Sequence, residues 1–513
     1  AFSPLVGSPL TTSAKFAIVC KSPLTNRISD SLVSSYFALA GKRAGCDAIV
    51  IRGRAAEPSV LVIDNGTATI EPAGELWGET CSVTEAKLRH RYGPDYQAAV
   101  IGPAGEHLVR YATISHAGRH AGRGGSGAVL GSKNLKAVLV RGTRRCSWAD
   151  PDALQAYAKR LSVASFGPET AKYRELGTAA NMLVFNRLKA LPTRNFQFGS
   201  FAEASNLAPE SLATNRTKTR ESCAACTIGC EHLFTFAPET GKPSSPVRVE
   251  YENLFALGAL CGVGNPDHVL EASQLCDDLG LDTISAGGTI AFAMECVERG
   301  MLDEPWLRFG DGEALLRALQ LTGHRKAIGD RLADGSRRLS QQIGGDAHEF
   351  APHVKGLELP GYEPRAMQTM ALGLAVGARG ADHNRSGAYE ADFSEHVDRR
   401  MLSPKSVEMA IATEDQSAIL DSLILCKFIR GVLPDTFEAA GEMLQIVTGW
   451  SVSSDELHET ARRIVTARKL FNVRAGWTPE EDTLPARFFE LALPDDPHAK
   501  LSIDCFNEAV RLY

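Results

Sequence analysis

C-A-A-C-T-I-G-C, residues 223–230, sets Cys223, Cys226 and Cys230 in a C-x2-C-x3-C run, and D-S-L-I-L-C, residues 421–426, brings in a fourth cysteine, Cys426, far downstream. Three thiolates packed into one short loop repel one another and invite oxidation. The arrangement is stable chiefly when a metal neutralises the charge and takes the sulfur lone pairs. A remote fourth ligand argues against a compact zinc knuckle, whose ligands come as two short local pairs, and the order differs from the C-x3-C-x2-C run of radical enzymes that cleave S-adenosylmethionine. A 4Fe-4S cluster is the leading expectation.

With 513 residues the chain exceeds the length at which one hydrophobic core keeps growing, which implies several domains and room to bury a large cofactor. Its 44% apolar and 23% charged residues are ordinary for a globular protein, and a net charge of -6 offers no attraction to nucleic acid or anionic membrane. No apolar stretch approaches the ~20 residues that span a bilayer, and the start lacks a charged segment followed by an apolar one. The expected compartment is the cytoplasm. Twelve cysteines are too few for a disulfide scaffold of this length, and Cys261 and Cys276, inside apolar or helical runs, read as reduced core residues. The chain opens at Ala1 in A-F-S-P-L-V-G-S-P-L-T, already mid-pattern for a strand and turn and without an initiator Met, so a missing preceding segment is expected.

Up to Gly142, short β-branched runs alternate with Gly, Pro, Asn and Asp: Phe16 to Cys20, Ala48 to Arg52, Ser59 to Asp64, Ala98 to Gly102 and Ala137 to Arg141. This region is expected to be sheet-rich. From Asp150, a capping residue followed by Pro151 in the first turn, the period lengthens to that of amphipathic helices, which dominate to the C-terminus. Polar Gly/Pro-rich breaks at Pro238 to Pro246 and Gly344 to Pro352 read as loops, the second also as a domain boundary. The expected division is 1–150, 151–352 and 353–513.

Two further features carry chemistry. A-G-R-G-G-S-G-A-V-L-G-S-K-N-L-K, residues 121–136, is a Gly-rich loop leading into a strand, with Arg123 beside amides that suit a phosphate. It lacks the ending of a P-loop and the spacing and strand-first context of a dinucleotide fingerprint, and the plainer alternative is a tight turn. In addition, Asp277, Gly280, Leu281 and Asp282 form D-x-x-G-L-D while Asp421, Leu425 and Cys426 form D-x-x-x-L-C. An acidic residue thus leads each helix-to-loop junction. Two related loops imply two related ligands, against the plainer reading that Asp is common near helix ends.

Taken in order, the Gly-rich loop, C-A-A-C-T-I-G-C, Y-E-N-L-F-A-L-G-A-L-C-G-V, C-D-D-L-G-L-D-T-I-S-A-G-G-T-I-A-F-A-M-E and D-S-L-I-L-C closely resemble the aldehyde:ferredoxin oxidoreductase family along nearly the whole chain. The resemblance implies an α+β architecture: a β-rich N-terminal pterin-binding domain followed by two mainly α-helical domains. It also implies tungsten, or molybdenum, held between two pyranopterins beside a 4Fe-4S cluster. Cys223, Cys226, Cys230 and Cys426 would be cluster ligands, and Asp277 and Asp421, with Gly280, Leu281, Asp282 and Leu425 in the same loops, would contact the pterins. Arg123 and Gly124 would meet pterin phosphates, as would Lys15, where the family usually has Arg; Lys acts as a point charge without the bidentate fork. Ser31-Leu32 stands where the family has an S-N element that helps hold magnesium, so the resemblance carries no magnesium ligand to that position. The Gly-rich G-G-R-G segment usual upstream is absent from the sequence.

By the same resemblance Glu252 in Y-E-N and His383 in R-G-A-D-H-N-R flank the metal, the first handling a proton of attacking water and the second donating to the substrate oxygen. Read without the family, Glu252 would be a capping carboxylate and His383 a helix-terminal or core histidine. Tyr251 and Tyr389 are secondary candidates for the pocket wall. The implied activity is oxidation of an aldehyde to a carboxylic acid with water, electrons leaving singly through the cluster to ferredoxin or a similar carrier, in a homodimer or a subunit of a larger redox complex. One rival keeps the scaffold as the catalytic subunit of a benzoyl-CoA-reducing complex, distinguished by a wide channel with basic residues at its mouth. Another is a non-enzymatic zinc or iron–sulfur binding protein, in which the paired loops would have no purpose.

Overall fold

The computed structural model describes residues 1–236 and 246–513. The break expected at Pro238 to Pro246 therefore lies, apart from Pro246, outside the described residues.

The N-terminal part is built on two sheets. A hairpin of β1 (Lys15–Lys21) and β2 (Ile28–Ser34) pairs antiparallel from Lys15 opposite Ser34 to Lys21 opposite Ile28. A six-stranded sheet follows, with β3 (Ser59–Asp64), β4 (Thr67–Pro72), β5 (Gln97–Val100), β6 (Ile114–His116), β7 (Arg119–Ala121) and β8 (Leu135–Arg141) in the order β4-β3-β8-β5-β6-β7. Only the β3–β8 pair is parallel. Alternation along β8 divides the core: Val138 and Val140 join Phe16, Val33 and Phe37 on one face, while Ala137 and Leu139 join Val60, Val62 and Leu88 on the other.

The strands expected at 16–20, 59–64, 98–102 and 137–141 are present to within a few residues, but Ala48 to Arg52 is not a strand. Its β-branched residues alternate correctly, with Ile49 and Ile51 packed on the core and Val50 81% exposed, yet no ladder partner lies alongside. Alternation buries a side-chain row without supplying backbone hydrogen bonds.

Helices follow from Pro151, and Asp150 caps the first of them by accepting from the Ala153 amide at 2.9 Å. Two helices are buried along almost their whole length, Thr283–Glu298 and Gln368–Val376. Both belong to the largest apolar cluster, which runs without a break through Leu339, Phe350, Ala351, Val354 and Leu359. Cys261 and Cys276 lie in this cluster, fully buried. A second cluster joins the helices Pro151–Ser165, Pro404–Leu423 and Thr436–Thr448 to Leu5 and Leu10 of the N-terminal turns. The site sits where the β1–β2 hairpin, the sheet and both sets of helices meet.

Candidate active site

The three-cysteine run is the connection between β9 (Lys218–Glu221) and β10 (Glu231–Phe234). Threonines near the N-terminus tie it to the fourth cysteine. Thr12 donates its amide to Ala225 O at 2.8 Å, Thr11 Oγ1 accepts from the Thr227 amide at 3.0 Å, and Thr12 Oγ1 accepts from the Cys426 amide at 3.4 Å. Thr12 itself has φ +69°, a conformation held by this tertiary clamp. Cys223, Cys226, Cys230 and Cys426 are all free and face the same cavity. Burial, with nearby Glu231, pushes the Cys223 thiol up to about 12, and burial raises Cys226 and Cys230 as well, with Cys426 adding to each. Cys223, Cys226 and Cys230, which burial turns against ionisation, stand beside Cys426, a donor set that suits a cation able to compensate thiolate charge. Among the described residues, no three His, Cys, Asp or Glu side chains converge closely enough for a single metal ion.

The two echoing loops have the same local construction. The helix Pro266–Leu279 ends at Gly280, φ +76°, Leu281 is buried, and Asp282 caps the next helix by accepting from the Ile284 and Ser285 amides at 3.3 Å. The helix Pro404–Leu423 ends at Ile424, φ +60°, Leu425 is buried, and Cys426 precedes the short helix Lys427–Val432. A left-handed residue therefore stands at the same step of each loop. Gly280 is suited to it, and a Cβ there would also come within 3.0 Å of the Gly102 amide; Ile424 adopts it despite β-branching. Asp277 lies 3.0 Å from His120 Nε2 with its side chain 31% exposed, whereas Asp421 is buried and holds Arg385 at 2.7 Å and Lys427 at 3.4 Å.

Buried cations gather between these loops. Arg123, on the Gly-rich loop, donates to Ala381 O and Glu358 O, and its Nε, 3.6 Å from Asp282, has no hydrogen-bond partner. Arg379 donates to Ser31 Oγ at 2.8 Å and Arg123 O at 2.6 Å and pairs with Asp382, leaving its Nε unpartnered. Burial opposes the charge of Lys15, but Cys426, Cys223, Asp421 and Cys226 around it raise its pKa. Gly124 has φ +92°, and a Cβ there would fall 2.0 Å from Ser29 Oγ, so its glycine is demanded by the neighbouring hairpin.

Glu252 sits in the short helix Tyr251–Asn253, which runs into a π-helical turn, Leu254–Gly258. Its Oε2 accepts from the Gly361 amide at 3.0 Å, and its Oε1, unpartnered, faces His383 Nδ1 at 3.6 Å. Burial raises the Glu252 carboxyl to about 8, and burial lowers His383 to about 4. Near neutrality the pair is uncharged. Tyr362 packs on His383 with ring centroids 5.1 Å apart and on Tyr389 at 5.4 Å, and the Tyr389 hydroxyl accepts from Arg430 at 2.6 Å.

One cavity of about 500 Å³ collects Glu252, His383, Lys15, Arg123, Asp277, Leu281, Asp282, Asp421, Leu425 and the four cysteines on its wall, with Tyr251 and Tyr389. Gly124 and Gly280 shape the loops behind that wall. The sequence reading missed Thr11 and Thr12, Arg379, Arg385 and Tyr362. Arg379 and Arg385 stand in the same R-G-A-D-H-N-R run as His383 and were within its reach; nothing local marks the threonines or Tyr362. No helix is long and apolar enough to cross a membrane among the described residues.

Residues 1–142 match the family described as "Aldehyde ferredoxin oxidoreductase, N-terminal domain", and residues 155–513 match "Aldehyde ferredoxin oxidoreductase, domains 2 & 3". A "Tungsten-containing aldehyde ferredoxin oxidoreductase" of Pyrococcus horikoshii is 36% identical over 518 residues, covering 97% of this chain and 83% of the relative. Its namesake in Thermococcus kodakarensis is 37% identical, covering 96% and 83%. An "Aliphatic sulfonate oxidoreductase, WOR-like subunit" of Pyrococcus furiosus is 30% identical, covering 96% and 81%. The solved "Active site complex BamBC of Benzoyl Coenzyme A reductase in complex with 1,5 Dienoyl-CoA" superposes with a TM-score of 0.79 at 24% identity, covering 97% of this chain and 84% of that one, a likeness of fold. With both of its regions and its relatives in agreement, this chain belongs to the aldehyde ferredoxin oxidoreductase family.

Proposed function

We propose that the protein is a cytoplasmic, tungsten-dependent enzyme that oxidises aldehydes to carboxylic acids, RCHO + H2O giving RCOOH, two protons and two electrons, and delivers the electrons to ferredoxin. The observation that carries this reading is the sharing of one cavity by an uncharged Glu252–His383 pair, four thiols and both Asp-led loops. The family name and the names of the tungsten-containing relatives supply the substrate class and the metal.

The residues fit the implied groups. Unpartnered N–H groups of buried Arg123 and Arg379 suit pterin phosphate oxygens, Asp277 and Asp421 suit the ring N–H donors of two pterins, and the four thiols, too dispersed for one ion, suit the corners of a 4Fe-4S cluster. Ser31 Oγ is already engaged with Arg123 O at 2.8 Å and with Arg379, so it is not assigned to magnesium. When bound, tungsten supplies two-electron chemistry at the carbonyl carbon, and the cluster carries electrons away one at a time. The chain's part is positional and protonic. Gly361 fixes one oxygen of Glu252, which leaves the other, ionised above about pH 8, to take a proton from attacking water. Neutral His383 keeps one ring N–H to donate to the carbonyl oxygen as charge builds. The rings of Tyr362 and Tyr389 hold the imidazole and narrow the space beside it.

We further propose that the chain works as a homodimer or within a larger redox complex, and that residues 1–150, 151–352 and 353–513 act as a pterin-binding base and two helical units sharing one core. Metal analysis of anaerobically purified protein, with aldehyde-dependent dye reduction, tests the whole reading. Tungsten with about four irons per chain and turnover is expected. Zinc alone, without turnover, would refute it.

A further inference from the structure

An electron carried by a cluster at the four cysteines has to leave the protein, and the three-cysteine loop itself reaches solvent. Ala225 and Thr227, inside the three-cysteine loop, are exposed to solvent. Thr227 is pinned to the end of the helix Pro151–Ser165 by a 2.6 Å bond between its hydroxyl and that of Ser165. Beside that bond two large apolar side chains stand in water, Val163 at 71% exposure and Phe166 at 54%. Phe166 ends the helix, and its amide bonds to Val163 O at 3.2 Å, so the two residues close one turn and form a single patch.

Cations border the patch. The Arg174 guanidinium lies 4.2 Å from the centre of the Phe166 ring, and Lys172 lies over the Tyr173 ring, which stacks on Phe428 two residues beyond Cys426. On β9, exposed Lys218 bonds to Glu175 O at 2.9 Å, linking that strand to the helix Pro168–Leu176 that carries Lys172 and Arg174, and exposed Arg220 reaches over Gly229 of the cysteine loop. Glu169, Glu175 and Glu221 also lie on this rim, Glu221 turned toward Arg248 at 3.8 Å. Four cations against three carboxylates, one of them turned toward Arg248, leave this rim with a positive excess on a chain of net charge -6, complementary to a partner of the opposite sign.

We propose that this face, centred on Phe166 and Val163 and bordered by Lys172, Arg174, Lys218 and Arg220, is the docking site of a small acidic one-electron carrier protein; the proposal rests on the cluster reading above. In each encounter the reduced cluster gives up one electron and the oxidised carrier gains it, so each aldehyde oxidised needs two carriers.

The test uses the metal-loaded enzyme, the Lys172→Glu/Arg220→Glu double variant and Phe166→Ser. Each is assayed with an acidic ferredoxin and, separately, with methyl viologen, which needs no docking face. The double variant should raise KM for ferredoxin about 10-fold or more and flatten its dependence on ionic strength, the scale of electrostatic steering. Phe166→Ser should raise KM without changing the salt dependence. Viologen turnover and iron content should match the parent. Unchanged ferredoxin kinetics would overturn the proposal. So would a parallel loss of iron or viologen turnover, which would make the patch part of the scaffold. A switch in sedimentation from dimer to monomer with intact ferredoxin kinetics would assign the face to a second copy of the chain instead. If the unsubstituted protein holds no iron and reduces neither acceptor, the functional reading fails first and the docking face falls with it.

Discussion

Replacing Glu252 by Gln keeps the shape of the side chain and removes its ability to hold a proton. The glutamine carbonyl can still accept from the Gly361 amide, which the native carboxylate meets at 3.0 Å, and its amide group replaces the oxygen facing His383 Nδ1 at 3.6 Å. No new buried charge is created, so fold and metal content should be retained. The kinetic consequence follows from the carboxyl pKa of about 8, raised first by burial. A group titrating there is ionised in roughly 10% of molecules at pH 7, so a rate that needs the carboxylate climbs about tenfold between pH 7 and 9 and then levels. In the variant that climb should disappear. The plateau should fall by about 10²-fold or more, the scale of a positioned base, or roughly 3 kcal/mol of transition-state stabilisation. The assay is aldehyde-dependent viologen reduction from pH 6 to 10 on anaerobic enzyme, with tungsten and iron measured on the same samples. A variant within a few-fold of the parent rate, with the same pH curve, would transfer the proton to another group and refute the role given to Glu252.

His383→Asn should likewise retain tungsten and iron while losing about 10²-fold in turnover, measured by the same viologen assay, because the ring N–H that stabilises charge on the substrate oxygen is gone. Cys426→Ser should lower iron content and alter the low-temperature EPR signal of the reduced protein although the other three cysteines remain; an unchanged signal with full iron would remove Cys426 from the ligand set. Asp277→Ala and Asp421→Ala should both lower tungsten and pterin occupancy. Only Asp421→Ala should also lower the melting temperature of the metal-free protein, since it takes the carboxylate from buried Lys427 and leaves Arg385 with Asp30 alone, a loss of about 1–3 kcal/mol, whereas Asp277 is partly exposed.

How much of this was legible in the sequence depended on whether the information was local. The cap at Asp150, the alternation of β8 and the paired Asp-led loops are short-range patterns, and each appears in the structure where the residues placed it. Ala48 to Arg52 has the same kind of pattern and makes no strand, because a strand also needs a neighbour, and neighbours are set by chain topology. β2 went unread for the converse reason. I-S-D-S-L-V-S is too polar to resemble a buried strand, yet those polar residues are what it brings to the site: Ser31 to Arg123 and Arg379, and Asp30 to Arg385 at 2.9 Å.

The cysteines show where local pattern stops and three-dimensional closure begins. C-x2-C-x3-C raises the expectation of a metal site from spacing alone, but nothing in the run names its fourth partner. What joins Cys426 to the loop is Thr11 and Thr12, two ordinary residues near the start of the chain, through the amides of Thr227 and Cys426 and the carbonyl of Ala225. Because Cys426 also closes the second Asp-led loop, the same two threonines fix the distance between the thiol nest and the Asp421 side of the cavity. Closing so long a loop costs entropy, and the hydrogen bonds of Thr11 and Thr12, two accepted by their hydroxyls and one donated by the Thr12 amide, offset part of this cost and hold the thiols close. The thiol nest is thereby preorganised by the N-terminal turns, and its spacing from the Asp421 loop rests on the hydroxyls of Thr11 and Thr12 together with one backbone bond, from the Thr12 amide to Ala225 O.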